Sequence, residues 1–167
     1  MNDIPTSQYF TSVAPDVDRS VDPELAARAR VLAAQGTVLL RNEDVLPLRP
    51  GQKIAVFGRI QKDWIGVGYG SGGDVNEPYQ TNLLDSLRET GTVEVDEELA
   101  ARYETFSAEN PADPGDVWGQ WPTHYPELEL ADDEVRAAAE RNELAILVIG
   151  RAAGEDRDAQ LEPGSYY

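Results

Sequence analysis

The chain has 167 residues, with 31 Asp and Glu against 14 Lys and Arg, and its net charge of −17 at pH 7 sets it against nucleic acid and anionic lipid as partners. It contains no cysteine and a single histidine, His124, which excludes disulfide frameworks, thiolate zinc sites, cysteine nucleophiles and any two-histidine metal site within the chain. Hydrophobic residues make up 41% of it, enough for one packed domain or part of one. The N-terminus is polar, with no basic n-region or apolar core, and the longest apolar run, residues 144–149, is too short to span a bilayer. A soluble, cytoplasmic product is the expectation.

In chain order, Asp22 as N-cap and Pro23 at the first helical position announce a helix whose apolar positions Leu25, Ala29, Leu32 and Ala33 share one face, with Gly36 stopping it at C′. Residues 37–40 are short and aliphatic, predicting a strand or extended segment, and Pro47, Pro50 and Gly51 make a connector. Residues 54–57 form a compact apolar run without polar alternation and end at Gly58, the signature of a buried parallel strand. A long glycine-rich loop follows to Thr81, with Trp64 and Tyr69 in it. Leu83, Leu84 and Leu87 predict a helix stopped by Gly91, and residues 93–95 a brief strand. Asp96 is then a good N-cap for a helix using Leu99, Ala100, Tyr103 and Phe106. Residues 110–127 hold four of the 11 prolines together with Trp118, Trp121 and Tyr125, a loop carrying bulky aromatics. Residues 132–141 predict a helix with three acids in its first turn, and residues 144–149 a second buried strand.

The β-α-β-α alternation predicts an α/β fold: an incomplete, mostly parallel sheet with helices on both faces and ligands outside the carboxyl ends of the strands. Two convincing strands and two weak ones are fewer than such domains usually have, so the chain reads as cut short. There is no internal repeat and no sign of a second domain.

Several motifs compete for function. Residues 68–73 match G-x-G-x-x-G in letters, but they neither follow the strand directly nor open a helix, as pyrophosphate binding requires. Residues 150–158 put Glu155, Asp156 and Asp158 beside Arg151 and Arg157 just past a strand. Such a cluster suits a catalytic carboxylate pair with separated pKa values, while spacing alone favours a solvated acidic loop. Trp118, Trp121 and Tyr125 suit stacking on sugar rings, or packing onto the sheet. His124 is assigned no chemistry.

Taken in series, Gly36-Thr-Val-Leu-Leu-Arg-Asn-Glu43 with Val45-Leu-Pro-Leu48, Ile54-Ala-Val-Phe-Gly-Arg59, Gly70-Ser-Gly-Gly-Asp-Val-Asn76 and Ile149-Gly-Arg-Ala-Ala-Gly-Glu-Asp-Arg-Asp158 resemble the α/β-sandwich domain of family 3 glycoside hydrolases. The resemblance implies a retaining exo-β-glycosidase, with β-glucosides the commonest substrates, in which a TIM-like barrel supplies an aspartate nucleophile and this domain the acid/base glutamate. Glu155 falls on that glutamate, although Asp156 replaces the second glycine of the family's Gly-Glu-Gly-x-Asp-Arg pattern, and Arg157 and Asp158 stand one position closer. Ser71, Asp74, Trp118 and Trp121 are the substrate-binding candidates. The resemblance calls for no metal or organic cofactor.

Because Met1 stands a short way ahead of the sandwich, the chain resembles the subgroup with the sandwich before the barrel. The expected organisation is an extension over residues 1–21 and the first part of the sandwich over 22–167, with the barrel absent and the fragment inactive alone. The expected partner is a small carbohydrate, and homo-oligomer formation is left open. Two alternatives stand beside this: a non-catalytic sugar- or nucleotide-binding module, and an inactive truncated product whose exposed sheet edge invites association.

Overall fold

The computed structural model describes residues 20–65, 80–111 and 125–150. Within them lie helix α1 (Pro23–Gly36), strand β1 (Lys53–Phe57), a 3-10 turn (Arg59–Gln61), α2 (Leu83–Thr90), β2 (Glu94–Val95), α3 (Glu97–Glu109), α4 (Asp132–Arg141) and β3 (Leu144–Leu147). The three strands form one sheet in the order β2-β1-β3. Both pairings are parallel, with Ile54 opposite Val95 on one side and opposite Leu144 on the other. The expected α/β alternation and parallel sheet are therefore present.

The central strand β1 explains why helices cover both faces. Its side chains alternate across the sheet, and both sets are apolar. Ile54 and Val56 pack with Val93 against Leu83 and Leu87 of α2 and against Leu144 and Ile146 of β3. Ala55 packs with Leu99 and Tyr103 of α3 and Ala138 of α4, joined by Phe57. A strand with two dry faces is what the uninterrupted apolar run over residues 54–57 predicts.

The helix signals hold, with local differences. Asp22 caps α1 by accepting from the Glu24 and Leu25 N–H groups, and Pro23 stands at the first position. Gly91 ends α2 in the left-handed conformation at φ +59°, where a Cβ would be strained. Gly36, expected at C′, is instead the last helical residue, and the extended Thr37 follows it.

Two expectations fail and a third is met only in its looser form, each for want of a packing partner. The apolar face of α1 buries nothing: no residue of this helix is buried, and Leu25 and Leu32 are each 65% exposed. Residues 37–40, expected as a strand or an extended segment, form no strand: Thr37 is extended, no neighbouring strand among the described residues offers a ladder, and Leu40 is 92% exposed. The run over residues 144–149 is not buried throughout. It pairs only as far as Leu147, and Leu147 and Ile149 face outward because β3 is the edge of the described sheet, covered on one face alone.

Asp96 joins three elements. Its main-chain N–H donates to Ile54 O, extending the β2 pairing with β1. Its carboxylate accepts from Leu99 N at 3.1 Å, capping α3, and from Arg141 and Asn142 at the end of α4, at 3.1 and 2.6 Å. Burial on its own raises the carboxyl pKa, but the hydrogen bonds from Leu99, Asn142 and Arg141 outweigh it and the net displacement is downward. A lowered folded-state pKa means that the ionised form stabilises the fold above the ordinary aspartate range. That contribution disappears as pH falls through and below about 4. Asp96→Ala is expected to cost about 2 kcal/mol at pH 7, the upper end for a lost N-cap, and less at pH 3, below the ordinary aspartate pKa, where the unfolded chain's carboxyl is largely protonated and the ionised form no longer stabilises the fold in full. Urea unfolding at both pH values measures the difference, and an equal cost at the two would contradict the assignment.

Candidate active site

The carboxyl end of β1 is where the sequence turns from apolar to functional, and Gly58 makes the turn possible. Its φ is +100°, and a Cβ placed on it would sit 2.2 Å from the Val148 carbonyl oxygen. The absent side chain lets β1 and β3 end side by side, with Val148 N–H donating to Phe57 O at 2.8 Å. Beyond β3, Gly150 packs on Ile60, whose Cγ2 would stand 2.5 Å from an added Cβ. Residue 150 thus leaves the sheet against the 3-10 turn that follows β1.

Between these strand ends and α3 opens a largely apolar groove of about 540 Å³, lined by Phe57, Gly58, Ile60, Tyr103, Glu127 and Val148 among others. Tyr103 is buried in the core, and its hydroxyl oxygen accepts the Gly58 N–H at 3.0 Å. Burial pushes its phenol pKa up, so it stays a neutral hydroxyl. Glu127 accepts the Arg59 N–H with both carboxylate oxygens, at 3.1 and 2.9 Å. It also accepts Leu128 N–H at 2.8 Å.

Arg59 is 1% exposed. Its guanidinium donates from Nε to Asp63 and from Nη1 to Pro126 O at 3.0 Å, while Nη2 donates to Asn110 O. The group lies 5.5 Å from the ring centre of Phe106 and 5.4 Å from that of Tyr125, within cation–π range. Tyr125, one of the aromatics expected either to stack on sugar or to pack, therefore packs on this arginine. Gln61 beside it is fully buried and donates from Nε2 to Val56 O at 2.9 Å.

Glu155, Ser71, Asp74, Trp118 and Trp121 all lie outside the described residues, as do His124, Arg151, Asp156, Arg157 and Asp158. The described structure places the roots of their segments instead. Residue 150 precedes the Glu155 segment, Asn110 and Tyr125 flank the tryptophan loop, and Asp63 precedes the glycine-rich stretch. All of these roots stand near the ends of β1 and β3. Arg59, Tyr103 and Glu127 received no role from the sequence. The available signal was a charged residue directly after a buried strand and a glycine; Glu127, whose carboxylate accepts its main-chain N–H, stands 68 positions away. Among the described residues no group of three or more His, Cys, Asp or Glu side chains is arranged to hold a metal ion, and no helix is long and apolar enough to cross a membrane.

Residues 37–163 match the Glycosyl hydrolase family 3 C-terminal domain. The chain belongs to that family. It is 42% identical over 143 residues to a beta-glucosidase of Ruminococcus albus, and 33% identical over 131 residues to beta-glucosidase A of Butyrivibrio fibrisolvens. These alignments take in 86% and 77% of this chain but only 15% of each relative, so the chain spans a small fraction of the curated relatives it matches. Among solved structures, a beta-glucosidase from Paenibacillus barengoltzii superposes with a TM-score of 0.83 at 43% identity, covering 89% of this chain and 16% of that one. Beta-glucosidase 3B from Thermotoga neapolitana, in complex with alpha-D-glucose, superposes at 0.75 with 34% identity, covering 95% and 21%.

In this family 3 domain the close contact at Gly58 holds the two strand ends together. Gly58→Ala is expected to cost about 3 kcal/mol or more, through a disfavoured φ and a clash with main-chain oxygen that no side-chain rotation relieves. Denaturant titration measures it, and a loss under about 1 kcal/mol would mean that the strand ends part easily.

Proposed function

We propose that this chain supplies the acid/base part of a retaining exo-β-glycosidase, a β-glucosidase, whose nucleophile resides in a barrel domain outside these 167 residues. The observation that carries the reading is the 42% identity to a beta-glucosidase across 86% of the chain, within the same family domain. Its small share of those relatives agrees with a barrel lying elsewhere. Residues 1–21 are read as an extension and 22–167 as part of the sandwich.

In the proposed reaction Glu155 protonates the glycosidic oxygen as the bond to the anomeric carbon breaks, while a barrel aspartate attacks that carbon to form a glycosyl-enzyme. Glu155, now ionised, takes a proton from water as the water attacks, releasing the sugar with retained configuration and restoring both carboxyls. The two groups must stand about 5 Å apart. Ser71 and Asp74 offer polar groups to sugar hydroxyls, and Trp118 and Trp121 offer flat faces to the C–H surface of the ring. The scheme is completed by two carboxyls and water, with no cofactor.

Two outcomes test this. Residues 1–167 alone are expected to show no turnover of an aryl β-glucoside above a Glu155→Ala control, since one carboxylate cannot run a double displacement. In the enzyme that contains this chain, Glu155→Ala is expected to lose about 10² to 10⁴ in rate on cellobiose, the usual contribution of general acid/base assistance. An activated aryl glucoside needs little protonation, so its glycosyl-enzyme should accumulate. Azide, which needs no base, should then restore turnover and yield the β-glycosyl azide. Full activity of Glu155→Ala on cellobiose, or azide rescue of Asp156→Ala or Asp158→Ala instead, would place the acid/base elsewhere.

A further inference from the structure

Residues 21–46 hold a defined, apolar shape and cover nothing with it. Most of the exposed large hydrophobic side chains among the described residues fall in this one stretch, from Val21 to Leu46. Single exposed apolar groups are ordinary, whereas a run of them marks an interaction surface. The stretch is held in place by its own hydrogen bonds. Asp22 caps the start of α1, and Thr37 closes its end, the N–H donating to Ala34 O at 3.3 Å and Oγ1 to Ala33 O at 3.0 Å. Farther on, Asn42 Oδ1 accepts from the Val45 and Leu46 N–H groups, and Asn42 Nδ2 donates to Leu46 O at 2.8 Å. Leu48 then packs on the β1 core. Between these fixed points Val38, Leu39 and Leu40 are 74, 61 and 92% exposed, and none of them makes a main-chain hydrogen bond to another main chain among the described residues. Three consecutive apolar residues with an unpaired backbone have the composition of a strand covered on both faces.

We propose that α1 and residues 37–46 form a docking face for the part of the same enzyme that lies outside residues 1–167, with Val38, Leu39 and Leu40 pairing there as a strand. The match to the family domain begins at residue 37, so the bare segment belongs to the domain itself and not to an appended tail. The superposition on the Thermotoga neapolitana enzyme covers 95% of this chain, which leaves out too few residues to omit α1. Helix and segment therefore have counterparts inside a β-glucosidase chain, and most of that chain lies elsewhere. The aligned part is 21% of it, and 15% of each curated relative. A second copy is disfavoured as the occupant because two chains of net charge −17 repel each other. The inference rests on this chain being part of a larger enzyme, and it is independent of the role given to Glu155.

The test uses the full-length enzyme containing this chain and two readouts. Amide exchange in wild-type peptides spanning residues 37–41 is expected to run at least about a hundredfold below the free-chain rate, because paired N–H groups exchange only on opening. Free-chain exchange there would overturn the proposal. The occupant is identified by photo-cross-linking from a benzoylphenylalanine placed at position 41, next to the apolar run, in an equilibrated mixture of isotopically heavy and light enzyme. The expected products join position 41 to residues outside 1–167 of the same polypeptide, heavy to heavy and light to light. Mixed heavy and light products would assign the face to a second copy, and products confined to residues 1–167 would assign it to this chain; either result overturns the proposal. Should the labelled variant fail to fold, exchange in the wild-type enzyme still decides. Neither readout depends on turnover, so an enzyme that cleaves no aryl β-glucoside would sink the glycosidase reading and leave this one to be judged on exchange and cross-links.

Discussion

A buried guanidinium sets the terms for the end of this domain where the loops gather. Taking a charge out of water costs several kcal/mol unless ionic and hydrogen-bonding partners replace the solvent. Arg59, 1% exposed, therefore constrains everything around it. The carboxylate of Asp63, the carbonyls of Asn110 and Pro126 and the rings of Phe106 and Tyr125 must all stay in reach, because losing one leaves a desolvated donor. The constraint is strong because it is collective. Three separate stretches of chain meet at one planar group, and the strand that delivers it, β1, is fixed by apolar packing on both faces.

A second polar junction, at Asp96, does the corresponding work just past the carboxyl end of β2. There a carboxylate ties the start of α3 to the end of α4. On the surface Arg88 joins Asp85, Glu97 and Glu104; the pairing, first with Glu97 and then with Glu104, holds its pKa above the ordinary arginine value. In a chain of net charge −17, such placements matter because few cations are present, and those at Arg59, Arg88 and Arg141 are spent on joints between elements rather than on isolated pairs.

The parts of the fold legible in the sequence are those where one residue type has a local reason. Asp22, Asn82 and Asp96 cap helices because their side chains reach N–H groups two or three positions on, and Gly91 stops α2 because φ is positive there. The run over residues 54–57 announced a buried parallel strand because no alternation was present. Partnership across the chain was not legible. The apolar periodicity of α1 is real, yet periodicity states that a helix has a face and not what covers it, so its exposure could not be foreseen. The same holds for residues 37–40 and for the outer side of β3. Of the candidate site, the family pattern was visible in the motifs. The Arg59 junction was not, since its acceptors are main-chain carbonyls whose identity leaves no trace in side-chain composition.

The proposed chemistry gives a reason for placing such a junction here. A retaining mechanism needs two carboxyl groups about 5 Å apart, and errors near 1 Å in the placement of reacting groups cost on the order of a hundredfold in rate. When the two groups arrive on different domains, each must be held accurately within its own domain before the interface between domains can matter. Sheet strands supply that accuracy only as far as their last hydrogen bond. β1 ends at Phe57 and β3 at Leu147, while the residues proposed to meet the sugar come on segments that leave β1, β3 and α3. What carries the rigidity of the sheet outward is the Gly58 contact with Val148, the Tyr103 hydroxyl on Gly58, and Arg59 drawing in the roots of the segments. A substitution at any of these three would therefore loosen the described roots of those segments without touching a sugar.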